Sequence, residues 1–549
     1  MNIQKHLLWA ACITVLINAA AMFSPVINSG DAITYASISQ HIVQSHDWAS
    51  LVLDGRDWLD KPHLPFWITA LFFKLGGVSA FTYILPGFIF HLVGAYYTYR
   101  LARLLYEKPT AVLAVLIYVS IFNLMDASIE VKAETYLVGE IMPACYYWLR
   151  YDERFRIKYL LLGALFTAMA IMTKGIFTLI TISSGFVCLW LYRKQWTKLF
   201  SIKWLAALIL SLLFVAPELV ALHLQFNQHT EGVGMTQPAS AFKFFFWDSQ
   251  FGRFFNTGPI QNRNSDPLYF IPVFLWAFLP WTIVFFAAVY ANFKKIGQAA
   301  ASRRTAFVFL SGAFGFTFLL FSASKFQFDY YIDIIFPFAA ILCARYLAVA
   351  VVGRRLFIVQ MGLLCVLALL TIALGIYVMK FTLLATIAVF STGLIFYCRA
   401  TRAESLNFRS IVYSVFTIDL LYLFLTLMTA LTFTQYGVAH NAAKIFGERS
   451  TVPIYIYQMP EVARELALYS EAPCHEIDSA ENLLRIKGGY HLLVRQEQAR
   501  QLNLVPLRFS LMAEKDLVVH KTGTFNKLLQ LARGTWPLET IDFLQTASK

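Results

Sequence analysis

The sequence predicts a mainly α-helical, polytopic membrane protein that ends in a small α/β domain. Three observations carry this expectation. Hydrophobic residues make up 58% of the 549 residues and charged residues only 14%, with mean hydropathy +0.59. A soluble domain is about a quarter charged, so these polar side chains are too few to coat several soluble domains. Apolar runs long enough to cross a bilayer recur along residues 1–433. Beyond residue 434 the pattern changes to short alternating strand and helix signals. The same composition excludes a disordered chain, a collagen-like chain and a coiled coil.

The apolar runs fall at roughly 7–27, 80–105, 110–127, 134–149, 159–173, 175–192, 204–222, 267–291, 305–323, 331–351, 356–379, 381–397 and 411–433, about thirteen in all. The first is long and more follow it, so it reads as an uncleaved helix rather than a leader. Basic residues test the alternation, because cytoplasmic loops carry an excess of Lys and Arg. With Lys5 inside, 21 basic residues fall on one side, in clusters such as Arg100, Arg103 and Lys108 or Arg193, Lys194, Lys198 and Lys203. The longer segments on the other side hold 10. The odd count places residues 434–549 on the outer face. The net charge is +13, yet residues 434–549 carry 13 basic and 12 acidic side chains. The excess therefore lies among the apolar runs, where it points to topology and anionic lipid and not to nucleic acid.

Two outer segments are too long for simple loops. Residues 28–79 open with an amphipathic helix pattern (Ala32, Tyr35, Ile38, Ile42) and continue with WITALFFKLGG, too short to span. Such helices suit an interfacial position. Residues 223–266 are rich in aromatics (FKFFFW, FGRFF), and a shorter outer segment, SASKFQFDYY, precedes the tenth run. Six of the seven cysteines lie in or beside apolar runs, and the tail holds only Cys474, so it has no internal disulfide. In the tail, VPIYIYQM, YHLLVRQ and DLVVHKT read as strands, and PEVARELALYS and ENLLRI as helices. This places a small α/β domain at about 450–535, within a C-terminal segment 434–549.

Charged residues gather at the outer ends of the runs. Asp31 follows Gly30 just past the first run; it suits a helix N-cap and equally a base whose pKa is tuned by low-dielectric surroundings. In Asp60-Lys61-Pro62-His63, Lys61 can hold a phosphate as a point charge or simply pair with Asp60 in an exposed turn. No cofactor is assigned; a divalent metal stays open, with His63 as the candidate ligand and no second ligand at diagnostic spacing. Glu134 opens the fourth run, and Lys174-Gly175 separates the fifth from the sixth; each fits either an interface anchor or a cavity. Arg253, in FWDSQFGRFF, can grip phosphate bidentately or sit in an aromatic belt. Lys325, Asp329, Tyr330 and Tyr331 stand at the outer end of the tenth run. No Walker A loop, GxSxG or HExxH occurs, and no cytoplasmic domain is available for a nucleotide sugar.

These residues, in this order, resemble the GT-C glycosyltransferases of the ArnT and protein O-mannosyltransferase group. GDAITYASISQHIVQSHDW is similar to the opening block of that group, and LDGRDWLDKPHLPFWITALFFKLGGVSAFTYILPG to its EKPPLLYWL segment. MTKG, FGRF, FLPW and SASK with YYIDIIFP resemble later blocks, so the likeness covers most of residues 1–337. The resemblance implies a transmembrane GT-C domain over 1–433 and a periplasmic C-terminal domain. It implies inverting transfer of a sugar from an undecaprenyl-phosphate donor, in the inner membrane of a bacterium with the site facing the periplasm. Lipid A, a related glycolipid or a protein would be the acceptor, and membrane lipids the surroundings. Carried over, Asp31 and Glu134 match the acidic catalytic positions. Lys61, Lys174, Arg253 and Lys325 match donor-phosphate positions, and Tyr35, Asp60, Tyr330 and Tyr331 would line the cavity. The chain departs from the group's pattern at Ala32, Asp60, His63 and Ile84, which replace Glu, Glu, Pro and Arg. A lipid or solute transporter is the alternative of another class, disfavoured by the absence of an internal repeat.

Overall fold

The computed structural model describes residues 3–23, 27, 30–228, 241–261, 265–295, 300–378, 404–447, 450–504, 509–517 and 538–546. Eight helices among these are long and apolar enough to cross a membrane: Gln4–Phe23, Ala80–Leu105, Ile157–Lys174, Ile202–Phe226, Ala301–Ala323, Asp329–Val349, Arg354–Ala373 and Leu406–Tyr436. A ninth forms if Phe270–Ala277 and Thr282–Lys294, bent by 111°, count as one span.

Among the described residues fewer helices than the thirteen expected runs are individually long and apolar enough to span, for local reasons. The run at 110–127 breaks at Ser120–Ile121 into helices Lys108–Val119 and Phe122–Ala127. Ser120 Oγ donates to the carbonyls of Leu116 and Ile117 and accepts from the indole of Trp281, 3.0 Å away. Helix Thr178–Tyr192 has 15 residues, short of the roughly 20 that a span needs. Helix Ala133–Glu153 has 21 residues but carries Glu134, Glu140, Arg150, Asp152 and Glu153. The run expected at 381–397 lies outside the described residues.

The amphipathic pattern after the first helix does form a helix, Gly30–Ser45, and Ala32, Tyr35, Ile38 and Ile42 are all buried. Its face packs on Phe66, Ala70 and Phe73 of helix Leu64–Gly76 and on Tyr83, Ile84 and Phe88 of the next helix. Burying a side chain the size of Leu or Phe is worth about 1.5–3 kcal/mol, so this face fixes the helix to the protein. Between the two loop helices, strands β1 (Val52–Leu53) and β2 (Arg56–Asp57) pair antiparallel around a turn with Asp54 and Gly55 at positive φ. Helix Ala216–Gln228 clamps this hairpin: Gln225 exchanges hydrogen bonds with the Leu51 backbone (3.1 and 2.9 Å) and donates to Asp57 at 3.0 Å.

The tail is an α/β unit. Its sheet has the order β4-β3-β5-β7-β6, built from β3 (Ile454–Tyr457), β4 (Cys474–Ile477), β5 (His491–Arg495), β6 (Phe509–Leu517) and β7 (Glu539–Thr546). β3 runs parallel to β4 and β5, while β7 pairs antiparallel with β5 and β6. The strands expected in VPIYIYQM and YHLLVRQ are β3 and β5, and the two expected helices are Pro460–Ala467 and Ala480–Arg485. The strand expected in DLVVHKT starts earlier, as β6, and beyond Leu517 falls outside the described residues. β4 and β7 carry no clean alternation, and β7 carries the sheet past the expected boundary at 535. The tail docks on the first loop. Gln40 donates to Ala467 O at 2.9 Å, the Ile27 amide donates to Tyr469 Oη at 3.0 Å, and Arg464 pairs with Asp54 at 3.2 Å.

Candidate active site

The first loop, the 241–255 segment and residues 322–335 meet at the end of the bundle on which the tail docks. The 241–255 segment is irregular: helix Ala241–Lys243 passes into a π-helical stretch, Phe244–Gly252, before Arg253–Phe255. Wide turns of this kind recur at functional sites, because the extra residue redirects side chains. Here Arg253 is aimed back at the first loop. Its guanidinium pairs with Asp60, stacks over Phe326 at 5.1 Å and lies against the Tyr331 hydroxyl. Asp60 also pairs with Lys61, so one carboxylate joins two cations drawn from distant parts of the chain. Burial alone would raise the Asp60 pKa, but Lys61 and Arg253 hold its carboxyl below the usual carboxylate range.

A second ion pair lies deeper. Glu134, at the start of helix Ala133–Glu153, meets Lys174, at the end of helix Ile157–Lys174, and both are buried. The Lys174 ammonium sits 3.7 Å from the ring centroid of Tyr331 and 5.8 Å from that of Tyr330. Tyr331 therefore touches both Lys174 and Arg253. Its neighbour Tyr330 donates to Asp31 Oδ2 at 3.3 Å. Asp31 occupies the exposed first turn of helix Gly30–Ser45, where a carboxylate also favours the helix N-terminus. The buried Tyr35, one turn on, packs against Trp58 and Phe66. Asp31, Lys61, Glu134 and Arg253 thus belong to one connected cluster whose centre is the Tyr330–Tyr331 pair.

Two candidates from the sequence stand apart. Lys325 is exposed; what it contributes to the cluster is its backbone amide, which donates to Phe254 O at 3.0 Å and ties the 322–335 segment to the residue after Arg253. His63 is fully buried with both ring nitrogens engaged: Nδ1 lies 2.9 Å from Glu218 Oε1 and Nε2 lies 3.0 Å from Ala49 O. Its backbone amide donates to the other Glu218 oxygen at 2.9 Å. This side chain does not fit a metal ligand; it bolts the first loop to helix Ala216–Gln228. Among the described residues no group of three or more His, Cys, Asp or Glu side chains is placed to share an ion.

Other members of the cluster carry no motif signal. Lys132 lies 4.5 Å from the ring centroid of Tyr330 and 3.6 Å from Glu130. Burial opposes its charge, yet Glu130, Asp31, Asp329 and Asp126 hold its ammonium above the usual range. Gln250 clasps the turn after Lys174, donating to Lys174 O at 3.3 Å and accepting from the Phe177 amide at 3.4 Å. A side chain on Gly175, at φ +109°, would collide with that amide, so the close approach requires glycine. Beside Glu134 a small cavity of about 10 Å³, room for about one water, is lined by His91, Tyr118, Thr135 and Asp333 among others. Only proximity in the fold reveals these residues.

Comparison with known proteins bears on the fold. The family model for dolichyl-phosphate-mannose-protein mannosyltransferase matches residues 60–220. The undecaprenyl phosphate-alpha-4-amino-4-deoxy-L-arabinose arabinosyl transferase 2 of Proteus mirabilis is 28% identical over 322 residues, 58% of this chain and 54% of that protein. The chain spans between about half and two thirds of the length of the first curated relatives it matches. The crystal structure of ArnT from Cupriavidus metallidurans in the apo state superposes with a TM-score of 0.73 at 15% identity, over 98% of both chains. The chain has the fold of ArnT. A second ArnT structure from that organism, bound to undecaprenyl phosphate, superposes with a TM-score of 0.72 at 16% identity. The family-model match contains Asp60, Lys61, Glu134 and Lys174. Asp31, Arg253 and the Tyr330–Tyr331 pair lie beyond it and join the cluster through the ArnT-like fold.

Proposed function

We propose that the protein is an inverting membrane glycosyltransferase that moves a sugar from an undecaprenyl-phosphate carrier to lipid A or a related glycolipid. One observation carries this reading: Arg253 and Lys174 meet at Tyr331 with Lys61 close by, three cations paired with only two carboxylates, Asp60 and Glu134, so a positive excess remains for an anion. Arg offers a planar fork for phosphate oxygens and Lys a point charge. Asp31 stands at the rim of the same cluster, exposed and oriented by Tyr330. Similarity to arabinosyl transferases named for an undecaprenyl phosphate sugar supports the donor class.

The chemistry is a direct displacement. An acceptor oxygen attacks the anomeric carbon as the bond to the carrier's phosphate oxygen breaks, and that oxygen keeps the electron pair. Lys61, Arg253 and Lys174 stabilise the charge that grows on the leaving phosphate. A hydroxyl acceptor must lose its proton, and Asp31 accepts it. A phosphate acceptor is already ionised, and Asp31 then only orients it. The site and the tail face the periplasm of the inner membrane in this reading, which the 21-to-10 distribution of basic residues supports. Alkaline phosphatase fused after residue 549 should be active in intact cells; an inactive fusion refutes the orientation.

The test of function is reconstitution in liposomes with undecaprenyl-phosphate sugars and Kdo2-lipid A, followed by product mass. A sugar-sized mass gain on lipid A supports the proposal. A gain confined to a periplasmic protein instead selects the second reading, protein O-glycosylation, which the family-model match over residues 60–220 favours. Lipid movement across the bilayer without any covalent product refutes both.

A further inference from the structure

The cations assigned to the donor phosphate are already occupied. Lys61 and Arg253 both bind Asp60, and the three side chains are only 13%, 11% and 24% exposed, respectively. The bond from Arg253 joins residues 193 positions apart, so Asp60 is more than the local partner of Lys61. Donors remain spare: Arg253 Nε is buried with no hydrogen-bond partner, and a lysine ammonium has three donors. A carboxylate and a phosphate offer similar oxygens to a guanidinium fork. Asp60 is therefore a resident anion in a site built for a visiting one.

The charges of the visitors matter. The donor is a phosphodiester with one negative charge. The departing carrier is a phosphate monoester, which carries about −1.5 to −2 near pH 7. The same cations hold the product more tightly than the donor, and tight product stalls turnover. A fixed carboxylate between the cations offsets that extra charge and reclaims them as the carrier departs. Resting on the donor proposed above, we propose that Asp60 is a release residue, an internal anion that competes with the spent carrier phosphate for Lys61 and Arg253.

The test measures binding of undecaprenyl phosphate to the full-length protein in nanodiscs, together with first-turnover and steady-state rates. Asp60→Asn should tighten undecaprenyl phosphate by about ten-fold, the scale of one close charge interaction. Its steady-state rate should fall further than its first-turnover rate, and Asp60→Glu should restore both. Unchanged or weaker binding of undecaprenyl phosphate by a folded Asp60→Asn protein overturns the inference. Should that variant fail to fold, the wild type still decides. With Asp60 in place it should bind the monoester no more than about three-fold tighter than the phosphodiester donor, and a preference of about a hundred-fold overturns the idea. Wild-type protein that binds neither lipid refutes the proposed function itself, a different outcome from either.

Discussion

Lys174 is held from two sides, by the Glu134 carboxylate in an ion pair and by the face of the Tyr331 ring 3.7 Å away. Both charged groups lie out of water, so the pair joins helices Ala133–Glu153 and Ile157–Lys174 at the floor of the site. Removing one partner strands the other as a buried charge.

Glu134→Ala or Lys174→Ala alone should therefore destabilise the protein by about 3–5 kcal/mol, the usual cost of breaking a buried pair from one side. The double variant Glu134→Ala with Lys174→Ala should cost markedly less than the two single variants summed. Thermal unfolding of detergent-solubilised protein, followed by tryptophan fluorescence, measures both. Strict additivity counts against a direct pair.

Asp31 and Lys61 separate activity from folding. Asp31→Asn should lower transfer to a hydroxyl acceptor by about 10²–10⁴-fold, the range for general-base catalysis. Lys61→Ala should abolish transfer. Both proteins should insert in the membrane and migrate as monodisperse peaks in size-exclusion chromatography. Full activity in both variants removes the enzymatic assignment.

Lys61 gives the site an alkaline limb. Burial, reinforced by the charge of Arg253, lowers its ammonium below the usual lysine range despite the pull of Asp60. As pH rises, Lys61 loses its proton before an ordinary lysine at about 10.4 does, and phosphate binding weakens with it. Stability moves the other way. In that window the unfolded chain binds more protons than the folded one, so deprotonation relieves a folding cost. Asp60 has the opposite sign: its depressed carboxyl contributes stability above the unfolded value of about 3.9, lost only as pH falls through the lower folded value. Undecaprenyl phosphate affinity should thus decline at high pH while unfolding temperature holds, and Lys61→Arg should move that decline upward. Parallel loss of affinity and stability contradicts this account.

Gly175→Ala should disturb the site without touching a charged group. The substitution strains a backbone at φ +109° and pushes Gln250 off the turn after Lys174. Strain of this kind costs about 1–3 kcal/mol. Donor KM should rise with the displacement of Arg253, three residues beyond Gln250, and Gln250→Ala should relieve part of the stability loss in the double variant. Wild-type stability of Gly175→Ala removes the steric argument.

His63 should behave as a fold residue. His63→Ala and Glu218→Ala should each lower stability by about 2–5 kcal/mol, since each leaves a buried polar partner unsatisfied. Chelator treatment should not reproduce either effect in the wild type. A chelator-induced loss of stability that His63→Ala abolishes would reinstate His63 as a metal ligand.

Patterns with a short period were legible in the sequence. The buried face Ala32, Tyr35, Ile38 and Ile42 and the strands β3 and β5 followed from spacing, because burial of one face repeats every 3.6 or two residues, and the short helix Leu64–Gly76 followed from an apolar stretch too short to span. Composition settled that the chain is dominated by apolar helices, and the order of charged motifs pointed to Asp31, Lys61, Glu134, Lys174 and Arg253. Only tertiary structure decided what those charges bind. Asp60 reaches Arg253, and His63 reaches Glu218, across separations of 193 and 155 residues, and no local pattern encodes such a meeting. Ion pairing depends on distance in space and on the local exclusion of water, and both arise only once the helices have packed.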